Sequence, residues 1–177
     1  MLDAAWNIHP AAIDDAHAIA EVHVESYKSA YRSVFSEAYL DGLSVQKYES
    51  LWQDLLASQE QPSITLVGRD AGASVLGFAS GGKERTGQLG CDGELYAIYL
   101  RPEAQRKGLG ALLVRQFVGE LITGGFGSMA VWVLALNPSR RFYERLGGTL
   151  IGERQIERGG QTFTEVAYGW QTLNAFR

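Results

Sequence analysis

The segment ELYAIYLRPEAQRKGLG, Glu94 to Gly110, joins an apolar run to a basic glycine turn. Leu95 to Leu100 is aromatic and β-prone, with Gly93 before it and Arg101-Pro102 after it, so it reads as a buried strand. Gln105-Arg106-Lys107-Gly108-Leu109-Gly110 reads as a turn, and a helical pattern opens directly behind it. A strand that feeds a glycine turn and then a helix start presents unpaired backbone N–H groups, and about half a unit of positive charge, to an anion. That arrangement suits a pyrophosphate. Two other phosphate loops do not fit, since neither G-x-G-x-x-G nor G-x-x-x-x-G-K-[ST] is present.

Behind the turn, Leu109, Leu113, Phe117 and Leu121 recur every fourth residue, which predicts a helix that packs on a sheet. Thr123-Gly124-Gly125 stops it. Met129 to Leu136 is a second apolar run, expected to lie parallel to the first strand. Asn137-Pro138 has the form of an N-cap asparagine with proline at the first helical position, and Gly147-Gly148 closes that helix. Thr149 to Glu157, a turn at Arg158-Gly159-Gly160, and Gln161 to Gln171 read as a closing hairpin.

Upstream, Ile64 to Gly68 and Val75 to Ser80 form a hairpin around a turn at Asp70 to Ala73, and a polar, glycine-rich loop from Gly81 to Gly93 leads into the central strand. A short strand is expected within Trp6 to Ala12. Asp14 and Asp15 then offer N-cap and first-turn acids to a helix through about Ala30. A second helix is expected from about Ser36 to Ser58, broken near Gly42 and ended by Gln61-Pro62.

At 177 residues and 19.4 kDa the chain fits one domain, residues 1–177, with a single core. Hydrophobic residues are 46% and charged residues 20%, as in ordinary globular proteins. The net charge of −4 and the scattered basic residues give no nucleic-acid footprint. The N-terminus lacks a basic region followed by an apolar core, and no apolar run approaches ~20 residues, so neither export nor a membrane is expected. A single cysteine, Cys91, excludes an internal disulfide and fits a cytoplasmic location. His9, His17 and His23 lack helical metal-ligand spacing, and no metal is expected.

Gln105 to Gly110 resembles the Q/R-x-x-G-x-G/A element of the GCN5-related N-acetyltransferases. Asn137-Pro-Ser-Arg-Arg-Phe-Tyr-Glu-Arg-Leu-Gly-Gly148 resembles the helix that follows it in that family. The resemblance implies an α+β fold of order β-α-α-β-β-β-α-β-α-β-β, with a mixed, mostly antiparallel sheet of six or seven strands and about four helices. It also implies acetyl-CoA as co-substrate. The backbone of Gln105, Arg106, Lys107, Gly108, Leu109 and Gly110 would hold the pyrophosphate. The backbone of Ile98, Tyr99 and Leu100, with the Asn137 side chain, would hold the pantetheine arm.

Carried over in the same way, Tyr143 is the expected proton donor to the departing thiolate. An alkylammonium of pKa about 10.4 is neutral in roughly one molecule per thousand at pH 7, so a base is needed. Glu94 is the carboxylate expected to serve, directly or through water, although a glutamate at a strand start is commonly just solvated. The acceptor pocket is expected at Tyr27, Tyr31, Phe35, Trp52 and His23, on helical aromatic stripes that are more often core. The acceptor is a primary amine of a small molecule or a peptide. The rival is a non-catalytic module that binds acyl-CoA. The helical pair and exposed hairpin are compatible with a homodimer.

Overall fold

The computed structural model describes residues 6–58 and 63–176. The expected helix stop at Gln61-Pro62 lies outside them. Seven strands form one sheet: β1 (Asn7–Pro10), β2 (Ile64–Arg69), β3 (Val75–Lys83), β4 (Gly93–Leu100), β5 (Met129–Leu134), β6 (Thr149–Arg158) and β7 (Gln161–Trp170). Their spatial order is β1-β2-β3-β4-β5-β7-β6. Every neighbouring pair is antiparallel except β4 and β5. Helices α1 (Ala16–Tyr31), α2 (Glu37–Asp41), α3 (Val45–Ala57), α4 (Leu109–Thr123) and α5 (Arg140–Arg145) complete the fold, which follows the expected order with one helix more.

The extra helix comes from serines. Ser36 Oγ accepts the Tyr39 N–H at 3.3 Å and Ser44 Oγ accepts the Lys47 N–H at 3.4 Å, so two helices are capped separately where one broken helix was expected. Two other caps differ from expectation. Asp15 precedes α1 without capping it; its carboxylate accepts the Ala12 N–H and pairs with Arg69. Asn137 Oδ1 accepts the Ser139 N–H at 2.8 Å, a local turn that delays α5 to Arg140.

Helices α1 and α3 cover one sheet face and α4 the other. Leu109, Leu113, Phe117 and Leu121 are fully buried, as their spacing requires. The loop from Glu84 to Asp92 is tied down: the Glu84 carboxylate accepts from Thr86 and Gly87, while Asp92 bonds Gly127 and Ser128.

The sheet opens at its centre. The β4–β5 ladder consists of Gly93–Met129 and Glu94–Ala130 alone, although β4 runs on to Leu100 and β5 to Leu134. Just beyond the last pair, β4 bulges against β3, since Ser80 pairs with Ala97 and Gly81 with Leu95 and Tyr96 is the extra residue, and a bulge raises local twist. Gly81 has no alternative there, because a Cβ would stand 2.2 Å from the Glu94 carbonyl oxygen and 2.4 Å from Phe117 Cζ. The two strands part on the far side of this crossing.

Candidate active site

The parted strands enclose a cleft of about 110 Å³ that passes between the α5 side and the α1 side of the sheet. Its walls are residues 96–99 of β4 and 131–134 of β5. Each of the two strands is left there without a partner on its facing side. The Arg101 N–H donates to the Leu76 carbonyl of β3 at 2.8 Å. Because backbone groups alternate along a strand, Ile98 and Leu100 turn theirs toward the opening, whereas Tyr99 turns its own toward β3. The Leu100 carbonyl accepts from Ser26 Oγ at 2.9 Å and Gln105 Nε2 at 3.1 Å, which leaves the Ile98 groups free to bind an extended chain.

At one mouth stands the glycine turn. Arg106 and Gly108 both take left-handed backbone conformations, with φ of 57° and 93°. The first α4 hydrogen bond runs from the Leu112 N–H to the Gly108 carbonyl at 3.1 Å. The N–H groups of Leu109, Gly110 and Ala111 therefore have no acceptor within the helix and point out of its N-terminus. Residues 105–108 are exposed, while the Leu109 side chain is core and only its backbone faces the mouth. Phe142 packs beside Gly110, joining α4 to α5.

Tyr143 reaches the cleft from α5 and is buried. Its helix is fixed by Arg140, which donates to the Ala135 carbonyl at 3.1 Å, and by Trp170 Nε1, which donates to the Leu146 carbonyl at 2.8 Å. The Tyr143 hydroxyl makes no hydrogen bond among the described residues. Burial, with the neighbouring Tyr31 phenol, pushes its pKa far above the usual tyrosine value. It is a neutral O–H over the working pH range. Opposite it, Asn137 Nδ2 donates to the Tyr31 hydroxyl at 2.8 Å, and both side chains line the cleft.

Glu94 stands elsewhere. Its side chain is 1% exposed and is absent from the cleft walls. One oxygen accepts the Arg85 N–H and Nε, each at 3.1 Å, and the other accepts Arg85 Nη2 at 2.5 Å. With both oxygens so engaged, and away from the cleft, Glu94 is in no position to meet an acceptor; the carboxylate that does line the cleft is Glu165 of β7, whose Oε2 pairs with Arg154 while its Oε1 makes no hydrogen bond among the described residues. Arg158, at the end of β6, lines it too. Neither was found from the sequence. The available signal was alternation: Arg154, Ile156 and Arg158 share one face of β6, opposite Glu165 and Phe163 of β7.

Of the aromatic candidates, Tyr27 and Tyr31 line the cleft. Phe35 packs behind them with Leu40 and Leu134. Trp52 is core, packed against Phe78 under α3. Both were expected in the pocket and neither reaches it, because a helical aromatic stripe satisfies burial equally well in a core. His23 lies among rings, stacked on Tyr99 with centroids 4.6 Å apart, and its Nδ1 has no partner.

Burial lowers the His23 pKa from 6.5 to about 4. Above pH 6.5 the imidazole is neutral both folded and unfolded; below it, the unfolded chain takes up a proton that the fold resists until about pH 4. Stability from this group is therefore present above 6.5 and lost as pH falls, by about 2 kcal/mol between pH 7 and pH 5. Urea unfolding at the two pH values should show that loss in the native chain and a smaller one in His23→Phe. An equal loss in both would assign the acid sensitivity elsewhere.

A family model described as FR47-like protein matches residues 87–157, from the loop before β4 through most of β6. Over 170 residues the chain is 38% identical to YuaI, an uncharacterized N-acetyltransferase of Bacillus subtilis, covering 96% of this chain and 95% of that one. The chain belongs to the GCN5-related N-acetyltransferase family. The acetyltransferase is also 29% identical over 109 residues to a spermidine N(1)-acetyltransferase of Thermoplasma acidophilum, covering 60% of this chain and 65% of that one. Its fold matches the PaiA N-acetyltransferase of the same organism, solved in complex with coenzyme A. The TM-score is 0.68 at 22% identity, over 92% of this chain and 98% of that one. No group of three or more metal-ligating side chains occurs among the described residues.

Proposed function

We propose that the acetyltransferase takes its acetyl group from acetyl-CoA and passes it directly to a primary amine of a small molecule or peptide. One observation carries this reading: a central opening between parallel strands, with the unpartnered Tyr143 hydroxyl inside it and free helix N–H groups at its mouth. A fold neighbour holds coenzyme A, and the residues here fit that ligand. Leu109, Gly110 and Ala111 offer N–H groups to a pyrophosphate. The Ile98 backbone offers a strand-like edge to the amides of the pantetheine arm, as Leu100 does with its N–H.

Acetyl-CoA supplies an activated acyl group as a thioester. Glu165 gives the proton of the acceptor ammonium a route out, directly or through a water, to the neutral amine that lies roughly 4–5 kcal/mol uphill at pH 7. The amine nitrogen then forms the C–N bond as the C–S bond breaks, Tyr143 gives its proton to the sulfur, the second proton shed by the nitrogen restores the phenol, and the proton held by Glu165 passes to solvent. In this reading Glu165 takes the role expected of Glu94. A thiol of pKa about 8.5 leaves tolerably unaided, so Tyr143 adds rate without being indispensable.

The test is release of CoA thiol from acetyl-CoA across polyamines, amino acids, aminoglycosides and basic peptides. Turnover with one class is expected. Acetyl-CoA binding without release on any acceptor would favour a non-catalytic acyl-CoA-binding module, and absence of binding would overturn the reading.

A further inference from the structure

The cleft is lined by one carboxylate, Glu165, and one guanidinium, Arg158, and a second guanidinium, Arg154, pairs with Glu165. Arg154 is fully committed: Nε and Nη2 donate to Glu165 Oε2 at 2.8 and 2.6 Å, and its guanidinium lies 4.1 Å from the Trp132 ring centroid. Arg158 is not. Its one ion-pair contact among the described residues is Glu165 Oε1 at 4.0 Å, too long for a hydrogen bond, and its side chain is 45% exposed. The Tyr27 and Tyr39 phenols flank it. The nearby Arg85 and Glu94 neutralise each other. Of the two ionised groups that line the cleft, Glu165 is already paired with Arg154, so the charge left there without a close partner is that of Arg158, whose fork of five N–H donors makes no hydrogen bond to a carboxylate.

This charge pattern selects among amines. A polyamine would bring several positive charges to a cleft with a single carboxylate already shared by two arginines. An acceptor with a carboxylate near its amine would meet complementary groups at both ends. The geometry also orders them. Glu165 is buried, on β7 opposite Leu134 and near Tyr31, whereas Arg158 stands outward at the hairpin tip. Arg158 Nη2 stands 4.0 Å from Glu165 Oε1, so an ammonium at Glu165 and a carboxylate at Arg158 would be neighbours, as the two groups of an amino acid are.

We infer that Arg158 anchors a carboxylate of the acceptor, so that the acceptor is an amino acid or an amino-acid-like zwitterion whose amine lies against Glu165. This inference rests on the proposed acetyl transfer and names its substrate class. It also sets this chain apart from a relative named for spermidine.

The experiment pairs each amino acid with its decarboxylated amine: L-phenylalanine with phenethylamine, and L-lysine with cadaverine. Thiol release is followed for the native protein, Arg158→Met and Arg158→Lys, and acceptor binding is titrated by calorimetry in parallel. The amino acid of each pair should be preferred in kcat/KM. Arg158→Met should raise its KM by about 10- to 100-fold, the range for one charged hydrogen-bonding group. Arg158→Lys should recover part of that, and acetyl-CoA affinity should not move.

Equal or better turnover of the decarboxylated amines, or an unchanged KM in Arg158→Met, would overturn the inference and leave acetyl transfer standing. Absence of turnover with every acceptor would sink the proposed transfer. In that case tighter binding of the amino acids, lost in Arg158→Met, would still support the anchor, and binding indifferent to the carboxylate would overturn it as well.

Discussion

Tyr143→Phe should lower kcat about 100-fold or more while acetyl-CoA affinity stays within about threefold. The hydroxyl makes no hydrogen bond among the described residues, so its removal leaves no buried group unpaired and should shift the melting temperature little. The ring itself packs in the core with Leu113 and Tyr168, and phenylalanine keeps that packing. The oxygen therefore has a chemical use or none. Burial and the Tyr31 neighbour hold this phenol neutral well above its ordinary range, so the alkaline limb of the pH–rate profile below about pH 10 should not belong to it. Steady-state kinetics beside a thermal melt separates the outcomes. A fall in kcat with unchanged stability supports proton donation; parallel loss of stability and activity would make Tyr143 a packing residue.

The second large effect is on stability. Arg85→Met should destabilise the protein by about 3 kcal/mol, the lower end for breaking a buried ion pair, since the arginine is half-exposed while Glu94 is not. In a chain of this size that lowers the melting temperature by about 6–12 °C. The loss comes from the stranded carboxylate, so the double variant Arg85→Met with Glu94→Gln should regain part of it. The same pair settles the role of Glu94. If Glu94 is structural, Glu94→Gln keeps kcat within a few-fold once folded; if it were the base, kcat would fall about 100-fold or more without a matching change in stability.

The parts of the fold governed by local periodicity and turn chemistry were legible in the sequence. The four-residue step of Leu109, Leu113, Phe117 and Leu121 gave α4, and Gly108 behind a basic turn marked its N-terminus. The closing hairpin followed from Gly159-Gly160. What escaped depends on contacts distant in sequence. Glu94 reads as a strand-entrance carboxylate open to solvent, yet the loop before β4 folds Arg85 over it. Arg158 and Glu165 sit in a hairpin whose inward face is decided by pairing with β5, which no local pattern records. Trp52 and Tyr31 belong to similar helical stripes, and only the parting of β4 from β5 puts one at the cleft and leaves the other in the core.

That parting makes the proposed coenzyme site. Hydrogen–deuterium exchange with and without acetyl-CoA tests it most directly. Exchange should slow on binding at Ile98 and Leu100 in β4 and at Leu109 to Ala111 in α4. A larger, shallower hollow of about 730 Å³, lined by Trp6, His9, Arg69 and Gln116, offers a contrasting location. Protection confined to that hollow, with Ile98 and Leu109 to Ala111 unchanged, would contradict the account.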